Sequence, residues 1–378
     1  MTTLGLIFTP LFLFCFAELY AGDIQFPQGI SKLNDDEKRT QAKKQVEEIN
    51  KKTNGRWRAE FNERFALLEL EHKKRMAGTI SRKSRGETTS TSSTLSVKSQ
   101  EPNGPFGMPN FIKETNNTQT RRRRQTLPSS FDSRTKWPQC APFMNNIRDQ
   151  SNCGDCWAVS SGSVLTDRRC IARAKQGETL NPNNYGFWAS EADVMTCSEG
   201  APDGNGCDGG YVDKAFAYMV SKGVLTGTNY TWGAGCKPYP FPETGGPYHA
   251  GGCSSTCSTS SNDYSRTKMI NYTELYDGSS TYEQQMMQEI YNNGPVVAVM
   301  TVYEDLYYYS SGVYAHTHGS NLGSHAVRVM GWGNLNGIDY WLVANSWGTS
   351  WGQNGWFYIE RGVNEVGIES EIIYGTIQ

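Results

Sequence analysis

The sequence predicts an α+β protein whose two subdomains face each other across a cleft, preceded by a separate helical segment. Three observations carry this prediction. From Leu127 onward the composition turns globular, with tryptophans, tyrosines, glycines and nine of the ten cysteines. Within that region apolar residues first recur at helical spacing, over 157–175 and 211–222. They then alternate as in half-buried strands over 296–302, 325–332, 340–345 and 356–360, separated by Gly and Asn turns. Helices first and strands second imply a helical subdomain at about 127–230 and a barrel-like β subdomain at about 231–378, with a groove between them.

Taken in chain order, Leu4 to Phe16 is an apolar run followed by the small residues Ala17, Ala21 and Gly22. It is shorter than the roughly 20 residues a membrane span needs. It reads as a signal peptide over 1–21, which sends the chain into the secretory pathway, to the lysosome or the cell exterior. Residues 31–77 are rich in Lys, Glu, Gln and Ala, and Val46, Ile49, Trp57, Phe61, Phe65 and Leu68 make helical stripes. A break at Thr53-Asn54-Gly55 predicts two helical pieces. Residues 78–120 turn to Ser, Thr, Gly and Pro, the composition of a linker, and end in Arg121–Arg124, a processing site in an exposed stretch.

The net charge of −2 gives no reason to expect a nucleic-acid partner, but it conceals a division. Residues 22–126 hold 22 Lys and Arg against 13 Asp and Glu, a net +9; residues 127–378 hold 14 against 24, a net −10. A basic segment ahead of an acidic domain suggests a removable prosegment lying on the domain it precedes. Nine cysteines after residue 139 is an odd number. In an oxidising compartment the economical arrangement is four disulfides and one free thiol.

The stretch Gln150-Ser-Asn-Cys-Gly-Asp-Cys156-Trp-Ala-Val holds a glycine turn, a thiol and the start of a buried helix. A cysteine at a helix N-terminus sits in positive potential, which favours its thiolate. Gln150, six residues upstream, offers an amide donor. A nucleophile beside a donor for the oxyanion it creates is what acyl transfer requires. The base must be one of five histidines. His325 opens an alternating strand and is therefore rigidly held, whereas His249, His316 and His318 fall in loops and His72 lies in the removable segment. Asn345 ends a strand able to pair with that of His325, and could fix the ring's orientation.

Together these residues resemble the papain-like cysteine proteases, and among them the cathepsin B group. The likeness rests on Leu127-Pro-Ser-Ser-Phe-Asp-Ser-Arg134, Gln150 with Cys-Gly-Asp-Cys156-Trp, Gly206-Cys-Asp-Gly-Gly-Tyr211, Ser324-His325-Ala326 and Asn345-Ser-Trp-Gly348. It extends into the preceding segment through Ile49-Asn-Lys and Gly-Arg-Trp57-Arg-Ala. The resemblance implies Cys156 as nucleophile, His325 as acid and base, Asn345 as its orienter and Gln150 as oxyanion donor. It further implies that Trp347 shields the His–Asn contact, and that Gly209 and Gly210 line the substrate groove. It implies disulfides 140–170, 153–207, 197–253 and 236–257, with Cys156 free. A zymogen restrained by its prosegment, polypeptide substrates, cystatin-like inhibitors, a monomeric state and no cofactor or metal follow from the same likeness.

Several positions depart from that pattern. The loop from Lys237 to Gly252 carries one histidine, His249, and no cysteine, where the group has a histidine pair that grips a substrate's terminal carboxylate, and an internal disulfide. An endopeptidase with weak dipeptide removal from C-termini is the expectation. Asp155 stands where a small residue precedes the nucleophile; it either points to solvent or raises the thiol pKa as a neighbouring charge. Ser324 replaces a glycine before the histidine, a milder change. Glu371 matches the acidic base of the second specificity pocket, which admits Arg as well as apolar side chains. Asn116, Asn229 and Asn271 head glycosylation sequons. Three rivals are weaker. Cys153-Gly-Asp-Cys156 as a redox pair has its tryptophan on the wrong side, and His316-Thr-His318 lacks further zinc ligands. A non-catalytic binding protein has no reason to keep all four site residues.

Overall fold

The computed structural model describes residues 33–87, 126–259, 264–276 and 281–377. The expected signal peptide at 1–21, Cys15, most of the Ser/Thr-rich linker, Asn116 and Arg121–Arg124 lie outside the described residues.

The N-terminal segment begins with α1 (Asp35–Thr53), closed by a capping box between Asn34 and Glu37, with acidic residues in its first turn and lysines in its last. It stops at Asn54, which adopts a left-handed conformation (φ 50°). The next piece is not the second helix the stripes predicted. Trp57–Ala59 is a strand, β1, antiparallel to β7 (Tyr309–Tyr314). Its alternating burial and the packing of Trp57 against Tyr309 and Tyr314 outweigh local helical preference. Two short helices follow, α2 (Glu63–Leu67) and α3 (Leu70–Met76). Residues 78–87, expected to begin the linker, instead run through the cleft as an ordered strap, with the turn at 82–86 fastened by arginines.

After β2 (Phe131–Asp132) and the short helices α4 (Ser133–Lys136) and α5 (Ala141–Met144) comes α6 (Cys156–Lys175). Every residue of α6 from Cys156 to Arg168 is buried, because helices cover one face of it and a sheet the other. The helical side is completed by α7 (Glu191–Cys197) and α8 (Val212–Ser221). The sheet has the order β1-β7-β10-β9-β8-β6-β11-β5, with β2 paired to β8. Here β5 is Asn271–Leu275, β6 Val296–Tyr303, β8 Asn321–Leu335, β9 Ile338–Ala344, β10 Trp356–Glu360 and β11 Ile372–Thr376, with α9 (Glu283–Asn293) between β5 and β6. Trp157, Val164 and Leu165 of α6 share a core with Val297, Val299, Ala326 and Ile373 of the sheet, and Ser160 Oγ donates to Ala326 O at 2.7 Å. That seam sets the nucleophile's helix against the strand of His325.

Four disulfides close, Cys140–Cys170, Cys153–Cys207, Cys197–Cys253 and Cys236–Cys257; among the described cysteines Cys156 is free. Cys236–Cys257 closes the segment 236–257 on itself, and Cys197–Cys253 ties it to α7 on the helical side. The pairing of β3 (Val224–Leu225) with β4 (Arg266–Thr267) does the same. The chain therefore crosses to the sheet after Thr267, later than the changeover near residue 230 read from composition.

Candidate active site

The site assembles where the first turn of α6 meets β8. Gly154 makes the approach possible: a Cβ on it would lie 2.5 Å from Cys207 O and 2.6 Å from Arg75 O. Cys156 is the first residue of α6 and is fully buried. Its sulfur touches the backbone of Ala326, the neighbour of His325, and of Gly78 in the strap. His325 Nε2 lies 2.9 Å from Asn345 Oδ1, and Nδ1 has no partner among the described residues. The Asn345 bond thus leaves Nδ1 as the ring nitrogen available to carry a proton. Trp347 covers the pair, 5.0 Å from the His325 ring, and stacks on Tyr307 at 4.5 Å and 5°. Both His325 and Asn345 are cut off from water.

Gln150 is oriented by Ser346, whose Oγ donates to Gln150 Oε1 at 2.6 Å. With its oxygen so engaged, the amide directs Nε2 to Cys153 O at 2.8 Å and to Met76 O of the prosegment at 3.0 Å. The strap thus lays a carbonyl oxygen on the donor assigned to the oxyanion. It continues as an added strand: Gly210 N donates to Gly78 O at 2.8 Å, Ile80 N to Gly210 O at 2.9 Å and Thr79 N to Ser324 O at 2.9 Å. Thr79 Oγ1 lies 3.1 Å from Cys156 Sγ. A Cβ on Gly209 would sit 2.9 Å from Gly78 O and so enter the groove, and one on Gly210 would sit 2.3 Å from the buried ring of Trp157 and displace it.

Electrostatically the closed site differs from the thiolate the helix N-terminus alone predicts. Burial under the strap pushes the Cys156 thiol up, against hydrogen bonds from Thr79 and from backbone. Burial also lowers His325 to about 4, against its bond to Asn345. The covered pair therefore rests as thiol and neutral imidazole, and the ion pair forms only once water returns.

Asp155 is fully buried, which corrects the reading of a side chain in solvent. Tyr239 Oη lies 2.9 and 3.1 Å from its two oxygens and 2.9 Å from Gln150 O. Burial, opposed by the Tyr239 bond, holds the Asp155 carboxyl well above the usual range, and Cys156 adds to the shift. Glu371 is buried and accepts the Arg82 N–H at 3.0 Å. Burial raises its carboxyl to about 7, with Arg82 opposing and Glu274 adding. Asn229 is half-buried and accepts from Trp232 N, while Asn271 opens β5 opposite Thr376. His316 is held by the buried Asp305 and stacks on Tyr303, and no metal-binding cluster occurs among the described residues.

Sequence reading missed Thr79, Ser346, Tyr307, Tyr239 and Glu274. Ser346 sat inside a recognised motif, so its neighbours could have pointed to it. The others are brought in by long-range folding, and no local pattern marks them.

Residues 127–376 match the family model described as papain family cysteine protease. The chain is 42% identical over 269 residues to cathepsin B-like cysteine proteinase 4 of Caenorhabditis elegans, covering 66% of this chain and 76% of that protein. It is 43% identical over 264 residues to the gut-specific cysteine proteinase of the same organism, covering 66% and 74%. Among solved structures, procathepsin B S9 of Trypanosoma congolense superposes with a TM-score of 0.69 at 34% identity, over 89% of this chain and 98% of that one. With the family model spanning the whole catalytic region and a procathepsin B aligned through the N-terminal segment as well, the chain belongs to the papain family of cysteine proteases, among its cathepsin B-like zymogens.

Proposed function

We propose that the protein is a cysteine endopeptidase in which Cys156, His325, Asn345 and Gln150 perform the chemistry. With the strap gone, Cys156 Sγ adds to a peptide carbonyl carbon while His325 Nδ1 holds the thiol proton. The oxygen takes the place Met76 O now fills, 3.0 Å from Gln150 Nε2. His325 then protonates the leaving amine, and the same nitrogen later takes a proton from water attacking the acyl-enzyme. Asn345 keeps the ring in register and Trp347 keeps water from that contact. The observation carrying this reading is the strap itself, a peptide held by Gln150, Gly210, Ser324 and the Cys156 thiol at once.

Dipeptide removal from C-termini is weak in this reading. His249 is exposed, and its Nδ1 lies 2.8 Å from Asn205 Nδ2. The same Asn205 amide is bonded to the Asp208 carboxylate, so an incoming terminal carboxylate meets one imidazole beside a like charge. The loop is drawn toward the 150–155 turn by Ser151 Oγ on Pro242 O, Asn152 Nδ2 on Gly245 O and Tyr239. Matched peptides with free and amidated C-termini test this. Comparable kcat/KM on both is expected; strong preference for the free acid overturns it.

The wider reading is a secreted or lysosomal monomer, glycosylated at Asn116, Asn229 and Asn271, open to cystatin-like inhibitors and released by cleavage after a signal peptide and after Arg124. Prosegment arginines meeting acidic residues, Arg64 on Asp149, Arg75 on Asp208 and Arg56 on Glu360, support faster self-release at about pH 4–5, in the carboxylate range.

A further inference from the structure

Beneath the nucleophile's turn three groups meet whose acceptors outnumber their protons. They are the backbone carbonyl of Gln150, the carboxyl of Asp155 and the hydroxyl of Tyr239. Tyr239 Oη lies 2.9 Å from Gln150 O, and 2.9 and 3.1 Å from the two Asp155 oxygens. Gln150 and Asp155 are fully buried and Tyr239 is 4% exposed, so bulk water does not reach the contact.

Counting protons decides the state of the acid. A carbonyl oxygen only accepts, and a phenol carries one proton. With Asp155 ionised, that single proton would have to serve two acceptors, leaving one close oxygen pair with nothing between. With Asp155 protonated, both contacts are satisfied: the acid donates to Tyr239 Oη, and Tyr239 donates to Gln150 O. The surrounding charge agrees. The titratable groups acting on Asp155 are Tyr239 from the loop, Cys156 of α6 and Glu191 of α7, and Asp149 also acts on Tyr239. Glu191 is paired with Arg148 at 2.8 Å and Asp149 with Arg64 of the prosegment, and Asp155 has no ion pair among the described residues. A buried carboxyl without a cation keeps its proton.

The contact matters because of what it holds. Gln150 N donates to Ser346 O at 2.8 Å, and Gln150 Oε1 accepts from Ser346 Oγ at 2.6 Å. Those two holds come from the segment after β9. The third, on the carbonyl, comes from the 237–252 loop through Tyr239. We infer that Asp155 is a protonated acid acting as a positioning residue, which through Tyr239 fixes the backbone of Gln150 and ties the aim of the oxyanion donor to the 237–252 loop. The inference rests on the endopeptidase reading and adds a residue to its machinery.

Two variants and one spectrum test it. Tyr239→Phe takes the proton off Gln150 O. Its kcat on an amidated peptide should fall about tenfold, a fraction of what losing an oxyanion donor costs, with KM little changed. Alkylation of Cys156 by iodoacetamide forms no oxyanion, and its rate should stay within about twofold. Asp155→Asn still donates to Tyr239 Oη and should keep kcat within about threefold. Infrared spectra of the zymogen and the mature enzyme should show a carboxylic-acid C=O stretch that vanishes in Asp155→Asn and moves in Tyr239→Phe. If Asp155→Asn does not fold, the Tyr239→Phe spectrum decides, and an unmoved band overturns the inference. Equal losses of cleavage and alkylation in Tyr239→Phe overturn it too, as does an Asp155→Asn enzyme as impaired as Tyr239→Phe. All three failures leave the endopeptidase reading standing. A wild type that cleaves no peptide overturns that reading, and the role on the oxyanion donor with it.

Discussion

The prosegment touches the enzyme through two regions of opposite character. Residues 57–73 dock on an aromatic platform: Trp57 packs on Tyr314 at 5.2 Å, and Phe65 lies 5.5 Å from Tyr307 and 5.7 Å from Trp347. Residues 76–87 cross the cleft on backbone hydrogen bonds and arginine pairs. The platform is held mainly by buried apolar area, with Arg64 on Asp149 at its side, and that area responds little to salt or proton concentration. The strap is held by charges and polar groups, which both alter. Affinity therefore resides mainly on the platform, and blocking of the thiol resides on the strap. Loss of the strap's grip can start activation while the segment is still attached.

The largest effect belongs to the platform. Phe65→Ala removes a fully buried ring facing Tyr307 and Trp347, a change costing about 3 kcal/mol or more. The inhibition constant of the prosegment, supplied as a separate chain to the mature enzyme, should rise by about a hundredfold or more. The factor should be the same in low and high salt. A salt-dependent factor would mean that charge, not area, holds the platform.

Next in size is Arg82→Ala, which strips the cation from Glu274. An about tenfold rise in the same inhibition constant is expected at low salt, shrinking as salt is added. If Arg82→Ala equals Phe65→Ala and both ignore salt, the division between the two regions fails.

Legibility in the sequence followed the range of the interactions. Helix α6, strand β10 and the positions of Cys156, His325, Asn345 and Gln150 could be read because each carries a local pattern, a period or a motif. Trp57–Ala59 could not, since its strand exists only through pairing with residues some 250 positions away. The strap was read as linker for the same reason: Gly78, Thr79 and Ser81 are linker residues by composition, and their order comes from Gly210, Ser324 and the thiol. Asp155 was misplaced because nothing near it announces Tyr239, which folds back from the loop 84 positions on. The charge split was legible as a total, but which arginine meets which carboxylate was not.

The smallest effect concerns protons, and it sets two groups in the cleft against each other. Covering the site lowers His325 from its ordinary value near 6.5 to about 4, so the closed form binds fewer protons there. That contribution holds the prosegment fully above pH 6.5 and is lost as pH falls toward 4. Glu371 runs the other way. Burial raises it to about 7 in the closed form; where the strap supplies that burial, the closed form binds more protons there and closure is favoured as pH falls below 7. Acid release in the wild type is then the resultant of His325 and the arginine pairs acting against Glu371. Glu371→Gln keeps an acceptor for the Arg82 N–H but has no proton to gain. Between pH 7 and 5 its prosegment affinity should fall more steeply than the wild type's in parallel inhibition assays. Equal slopes would show that Glu371 keeps the same protonation whether the strap is on or off. In that case the pH response of the strap belongs to His325 and the ion pairs alone.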